Sequence, residues 1–163
     1  MPQTGPPRQL KKIAFLEGDW DVIMKVKPNS QSAWVETQGR SNFQFVLDGA
    51  VLQQIYEGVM SGHAFRGIGY LAFNRFTCKW QHVWSDNVAA VISIYEGEFN
   101  EGRLEVVGDE RTDKTTFQVR ASWFNIQADR FEWKLDTSAD GVTWTPFMSA
   151  VYTRGISGQT TTE

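Results

Sequence analysis

The residues best suited to chemistry fall together on one predicted strand. Trp80, His82 and Trp84 alternate with other residues, so on a β-strand the two indoles and the imidazole face the same side. Indole rings offer flat stacking surfaces, and an imidazole both donates and accepts hydrogen bonds. This face predicts a binding surface for an aromatic ligand, with Trp123 and Trp133 on later strands adding further rings. The alternative is that these rings fill a core in which His82 is an ordinary buried histidine.

A second pair of candidate binding residues precedes this strand. Arg66 and Tyr70 are four residues apart and therefore share a face of their strand. If that face is interior, Arg66 could pair with a ligand carboxylate and Tyr70 would join the aromatic wall. If it is exterior, Arg66 is a surface charge, and Phe65, Leu71 and Phe73 point inward. Because both faces carry apolar residues, the sequence leaves the two registers open.

The composition narrows the remaining chemistry. With one Cys and two His in the chain, zinc-finger, three-His and Cys-rich metal sites are impossible, and no metal site is predicted. Cys78 shares the predicted face of His82, but four residues along a strand separate their Cα atoms by about 13 Å, too far for a nucleophilic pair. We therefore expect Cys78 to be a small core residue. No spacing of carboxylates indicates acid–base catalysis, so no catalytic residue is predicted.

The net charge and the lack of long apolar segments indicate which partners and which cellular location to expect. The formal net charge is −3 at pH 7, which gives no basic surface for nucleic acid or for anionic lipid. The first twelve residues, MPQTGPPRQLKK, lack the apolar segment of a signal peptide. No apolar run approaches the roughly 20 residues that span a bilayer. These features predict a cytoplasmic protein with neither a nucleic-acid nor a membrane partner.

The elements that must position these side chains are β-strands. Apolar and polar residues alternate with a period of two from residue 18 to residue 154, interrupted by short turns such as Asp48-Gly49 and Asp140-Gly141. This pattern predicts about ten antiparallel strands after a helical turn near Gln9 to Phe15. Closing such a meander into a barrel removes its exposed edges, and eight strands already leave room for one small ligand. We expect one domain over residues 8–155, with flexible ends at 1–7 and 156–163.

Two motifs at the ends of this pattern resemble a known superfamily. Gly18-Asp19-Trp20 opens the first strand, and Tyr152-Thr153-Arg154 closes the last. The pairing resembles the calycins (lipocalins, fatty-acid-binding proteins and nitrobindin-like barrels), in which a G-x-W Trp at the closed end meets a late Arg. Further segments are similar to a bacterial lipocalin-like domain family of unknown function: Phe15–Trp20, Gly67-x-Gly69-Tyr70, Trp84-x-Asp86 and Asp140-Gly141-x-Thr143-Trp144. The resemblance implies an all-β, up-and-down, lipocalin-like barrel closed by Gly18, Trp20 and Arg154, and it implies little about chemistry.

These features favour a cofactor-free barrel that binds a small hydrophobic or aromatic ligand in its lumen without catalysis. A small enzyme on this fold is the first alternative, namely an isomerase, cyclase or decarboxylase acting on an aromatic or fatty acid-like substrate. A haem-binding barrel with His82 as axial ligand is another, although nitrobindin-like relatives carry that His on a late strand. A third is a structural or dimerising module, favoured if Trp34 lies in an outward apolar patch, and it would make the protein a homodimer.

Overall fold

Ten antiparallel strands form a closed barrel in the computed structural model, which describes residues 3–155. Each strand pairs with its neighbours in sequence, and β1 pairs with β10 to complete the ring. This confirms the predicted fold class. The strands are β1 (Gly18–Val26), β2 (Val35–Val46), β3 (Val51–Met60), β4 (His63–Asn74), β5 (Lys79–Asp86), β6 (Ser93–Asn100), β7 (Arg103–Arg111), β8 (Thr116–Phe124), β9 (Arg130–Ser138) and β10 (Thr145–Arg154).

A 3₁₀ helix, Arg8–Leu16, precedes the strands and covers one end of the barrel. It buries Leu10, Ile13 and Leu16, while its basic residues stay in solvent. Within residues 3–155, no helix is long and apolar enough to cross a membrane. The domain limits remain a prediction, and residues 1–2 and 156–163 of the predicted flexible ends lie outside the described part of the chain.

Trp20 and Arg154 hold this helix to the barrel. The Arg154 guanidinium lies 4.0 Å from the centre of the Trp20 ring and donates to the carbonyls of Phe15 (2.5 Å) and Glu17 (2.6 Å). The Trp20 indole N–H donates to the Leu16 carbonyl at 2.7 Å. Gly18 adopts a φ of 115°, and a Cβ there would lie 2.9 Å from Arg154 Nη1. A planar cation stacked on an indole thus also satisfies the carbonyls at the end of the helix.

The alternation predicts strands that start at Phe76 and Val88, and both start later because side chains extend the preceding turns. Asn74 Oδ1 accepts hydrogen bonds from the backbone N–H groups of Phe76 and Thr77, so β5 starts at Lys79. Cys78 therefore lies in the turn, exposed and with a φ of 55°. Its prediction as a core residue beside His82 was wrong. Asp86 acts in the same way towards the N–H groups of residues 88 and 89, so β6 starts at Ser93.

The hairpin between β9 and β10 folds back over the outer surface of the barrel. Asp140 Oδ1 accepts hydrogen bonds from the backbone N–H groups of Val142 and Thr143, which hold the pKa of its carboxyl down at about 2. Trp144 packs on the Arg120 guanidinium, 4.3 Å from the ring centre. Arg120 in turn pairs with the buried carboxylate of Asp136 at 3.0 Å. This segment is a structural turn with a packed Trp on the outer face.

Candidate functional site

The barrel interior is the candidate site, because the inward side chains are mainly large aromatic rings. The alternation along each strand and the pairing between strands place successive buried residues towards the axis. The inward aromatic residues include Phe43, Tyr56, Phe65, Trp80, Trp84, Tyr95, Trp123, Phe131, Trp133 and Tyr152.

The structure brings together the predicted residues of three strands. Trp80, His82 and Trp84 lie on the inner face of β5. Trp123 on β8 and Trp133 on β9 are direct cross-strand partners and also face inward. Trp123 meets the His82 ring edge-on, with ring centres 5.1 Å apart. We call these five inward-facing residues the aromatic wall.

Arg66 and Tyr70 do not belong to this wall. Both are exposed on β4, and the Tyr70 hydroxyl accepts a hydrogen bond from Gln53 on the outer surface. Phe65 and Leu71 point inward instead. The interpretation in which Arg66 and Tyr70 line the lumen was wrong, because β4 turns its apolar residues and two interior glycines towards the axis.

These two glycines, Gly67 and Gly69, leave room for the neighbouring indole ring of Trp84. A Cβ on Gly67 would lie 2.1 Å from Trp84 Cζ2, and one on Gly69 would lie 3.0 Å from Trp84 Cε3. The Trp84 indole N–H donates to Asp86 Oδ2 at 2.9 Å, which fixes the ring in this position. Trp84 therefore packs against the backbone of β4 rather than projecting across the lumen.

His82 is the least satisfied polar group of the interior. Its side chain is 5% exposed, and neither ring nitrogen has a hydrogen-bond partner within residues 3–155. Tyr95 stacks on the ring with centres 5.5 Å apart and planes inclined by 21°. Burial lowers the pKa of His82 to about 3, so at neutral pH the imidazole carries one N–H donor and one acceptor. Each such buried group costs about 1–3 kcal/mol when it lacks a partner.

Other interior polar groups are paired, and sequence reasoning missed them. The buried Gln54 amide donates to the hydroxyls of Ser41 (3.0 Å) and Tyr152 (3.5 Å). The Tyr95 hydroxyl donates to Glu110 Oε1 at 2.9 Å. Gln54 could have been found from its place between the buried Leu52 and Tyr56. Glu110 could not, because the alternation predicts a strand over Leu104 to Val107 that ends before it, whereas β7 continues to Arg111.

Burial also raises the pKa of the interior tyrosines. The pKa of Tyr56 rises to about 12, and those of Tyr95 and Tyr152 rise further, with desolvation as the largest cause in each case. In the described part of the chain, no three His, Cys, Asp or Glu side chains come close enough together to hold a metal ion. The interior therefore offers stacking surfaces, neutral hydrogen-bonding groups and the carboxylates of Glu110 and Asp86.

Comparisons with known proteins identify one family. A family model described as "Protein of unknown function (DUF1579)" matches residues 6–154. No curated protein matches the chain.

Two solved structures share the fold. The crystal structure of Rv2717c from M. tuberculosis is 17% identical, with a TM-score of 0.66 over 92% of this chain and 99% of that chain. The S-type phycobiliprotein lyase CPES from Guillardia theta is 10% identical, with a TM-score of 0.58 over 91% of this chain and 93% of that chain. At these identities the likeness concerns the fold alone.

Proposed function

The chain belongs to the DUF1579 family of proteins of unknown function, and we propose that it binds a small, mostly apolar aromatic ligand inside its barrel without catalysing a reaction. The observation that carries the proposal is His82, a neutral imidazole with two unpartnered nitrogens inside an aromatic wall. A ligand that stacks on this wall and forms one hydrogen bond with His82 recovers part of the cost of burying the imidazole.

The ligand reaches His82 by displacing one of the rings that enclose it. Tyr95 covers one face of the imidazole, and Trp123 contacts it edge-on. A two-ring ligand can replace the contacts of one displaced side chain and add a hydrogen bond, which offsets the cost of the rotation. A haem would displace much more of this wall, and we do not include it in the proposal.

The direction of the pKa shifts supports binding over acid–base catalysis. An efficient general acid or base has a pKa near the working pH. Burial moves the pKa of His82 down to about 3 and that of Tyr56 up to about 12, both away from neutrality. Through the physiological pH range the His82 imidazole therefore stays neutral and the Tyr56 hydroxyl keeps its proton. Both groups are suited to fixed hydrogen bonds.

We also propose that the family is related to the lipocalin-like calycins. The support is the ten-stranded up-and-down barrel together with the contact between Trp20, which follows Gly18 at the start of β1, and Arg154 at the end of β10. Both features lie at the closed end of the barrel, so they concern ancestry and stability rather than ligand choice.

A matched pair of probes tests the proposed function. We expect 2-naphthylmethanol and naphthalene to bind the wild-type protein, as followed by titration in ¹H–¹⁵N NMR spectra. His82→Leu removes both ring nitrogens at similar volume, and it should weaken the alcohol about tenfold, the worth of one buried hydrogen bond, without weakening naphthalene.

His63→Leu is the matched control, because His63 is exposed at the start of β4. It should leave both affinities unchanged. The proposal would be contradicted if neither probe bound the wild-type protein. It would also be contradicted if His82→Leu left the affinity for the alcohol unchanged.

A further inference from the structure

The charged side chains are distributed unevenly between the outer and inner faces of the barrel sheet. All ion pairs in the described residues lie on the outer face: Arg40–Asp21, Lys79–Glu98, Arg103–Glu105, Arg120–Asp136, Arg130–Glu132 and Lys134–Asp136. Arg154 occupies the closed end, where the carbonyls of Phe15, Glu17 and Ala128 accept its hydrogen bonds. Among the strands of residues 3–155, no other Arg or Lys has an inward position.

Two acidic residues take inward positions on the strands of residues 3–155. Asp86, at the end of β5, already accepts the Trp84 indole N–H and two backbone N–H groups, and the other is Glu110. Glu110 follows the inward positions Leu104, Val106 and Gly108 along β7 and is partly buried. The Tyr95 hydroxyl donates to its Oε1 atom, and no cation among residues 3–155 forms an ion pair with it. An inward carboxylate without a cationic partner gains much from one, since charge–charge attraction strengthens as water is excluded.

The same carboxylate is linked to the unpartnered imidazole through one side chain. Tyr95 connects the two, because its ring stacks on His82 and its hydroxyl binds Glu110. Burial raises the pKa of Tyr95, so the hydroxyl stays protonated and its proton remains committed to Glu110. The second oxygen of Glu110 accepts no hydrogen bond from residues 3–155 and is left as an acceptor.

We infer that the ligand of this interior is an aromatic cation, such as an arylalkyl ammonium or amidinium, whose charged group pairs with Glu110. The inference rests on the proposed function and adds the charge of the ligand. A charge-assisted hydrogen bond to the carboxylate supplies the specific contact, and the faces of the surrounding rings add cation–π attraction. Fatty acid-like and other carboxylate ligands are disfavoured, because the lumen gives them a like charge and no cation.

Three naphthalene derivatives that carry a cationic, a neutral or an anionic group test this inference. We expect 2-naphthylmethylamine to bind the wild-type protein about tenfold more tightly than 2-naphthylmethanol, with 2-naphthoate weakest. Glu110→Gln should remove the advantage of the amine and leave the affinity for the alcohol within about twofold. Asp109→Asn is the matched control, because it makes the same charge change on the neighbouring exposed position of β7 and should change neither affinity.

The outcomes separate this inference from the proposed function. If the naphthoate binds as tightly as the amine, or if Glu110→Gln keeps the preference for the amine, the inference is wrong while lumen binding stands. If none of the three probes binds, the proposed function itself fails. The order of the three affinities for the wild-type protein tests the inference even if the Glu110→Gln protein does not fold.

Discussion

His82 illustrates how one residue links burial to both stability and ligand binding. The strand pattern places it between Trp80 and Trp84, and the closed barrel then removes it from water. Its pKa falls from 6.5 to about 3, because a charged imidazole cannot be solvated there. The unfolded chain keeps the ordinary value. Between these two pKa values the unfolded state binds a proton that the native state does not bind.

This difference predicts a loss of stability as the pH falls. The free energy of unfolding should decrease by roughly 1 kcal/mol per pH unit from about pH 6 to pH 4 because of His82, and no such loss should arise above its unfolded pKa. The difference between wild type and His82→Leu in urea titrations at several pH values isolates this contribution. Parallel pH profiles for the two proteins would contradict the burial of a neutral imidazole, and the exposed His63 provides a control through His63→Leu.

Part of this residue-level description could be predicted from the sequence. The common face of Trp80, His82 and Trp84 follows from alternation alone. The missing partners of His82 and the bond between Tyr95 and Glu110 could not be predicted, because they depend on which side chains of β6, β7 and β8 meet β5 across the lumen.

At the scale of elements, one guanidinium makes several of the contacts that hold the 3₁₀ helix to the barrel. Arg154 at the end of β10 binds carbonyls from the helix and from the segment before β9, and it stacks on Trp20. An ammonium group has the same charge but neither the flat surface nor the fork of donors.

Arg154→Lys should therefore lower the free energy of unfolding by roughly 2 kcal/mol, from lost stacking and hydrogen bonds. Urea denaturation measures this loss, and hydrogen exchange should speed up in Arg8–Leu16. Arg130→Lys, on a partly exposed ion pair at the same end of the barrel, is the control and should cost less than about 0.5 kcal/mol. Equal effects of the two substitutions would show that the guanidinium of Arg154 has no special role.

The strands themselves could be predicted better than their limits. Alternation predicts ten strands, whereas the late starts of β5 and β6 depend on the side chains of Asn74 and Asp86 accepting backbone hydrogen bonds. The inward face of β4 could not be predicted locally. It is decided by the ring of Trp84, which needs the backbone of Gly67 and Gly69 beside it.

At the scale of the whole molecule, closure of the barrel separates charge from aromatic surface. The ion pairs lie on the outer face, while the interior holds rings, a neutral imidazole and the carboxylates of Glu110 and Asp86. This separation emerges only when all ten strands are in register, since each strand alone carries charges on one face and apolar residues on the other. The interior therefore supports binding by shape, stacking and one hydrogen bond, which is the central claim for this protein.

The most direct measurement is a ¹⁵N NMR spectrum of the histidine side chains with and without 2-naphthylmethanol. The chain contains two histidines, so His82 and the exposed His63 give separate signals and the second is an internal reference. We predict a neutral His82 imidazole at pH 6 and below, and a shift of one His82 ring nitrogen when the probe is added, while the His63 signals do not respond to the probe. A His82 signal that titrates near pH 6.5, or that does not move when the probe is saturating, would contradict the account.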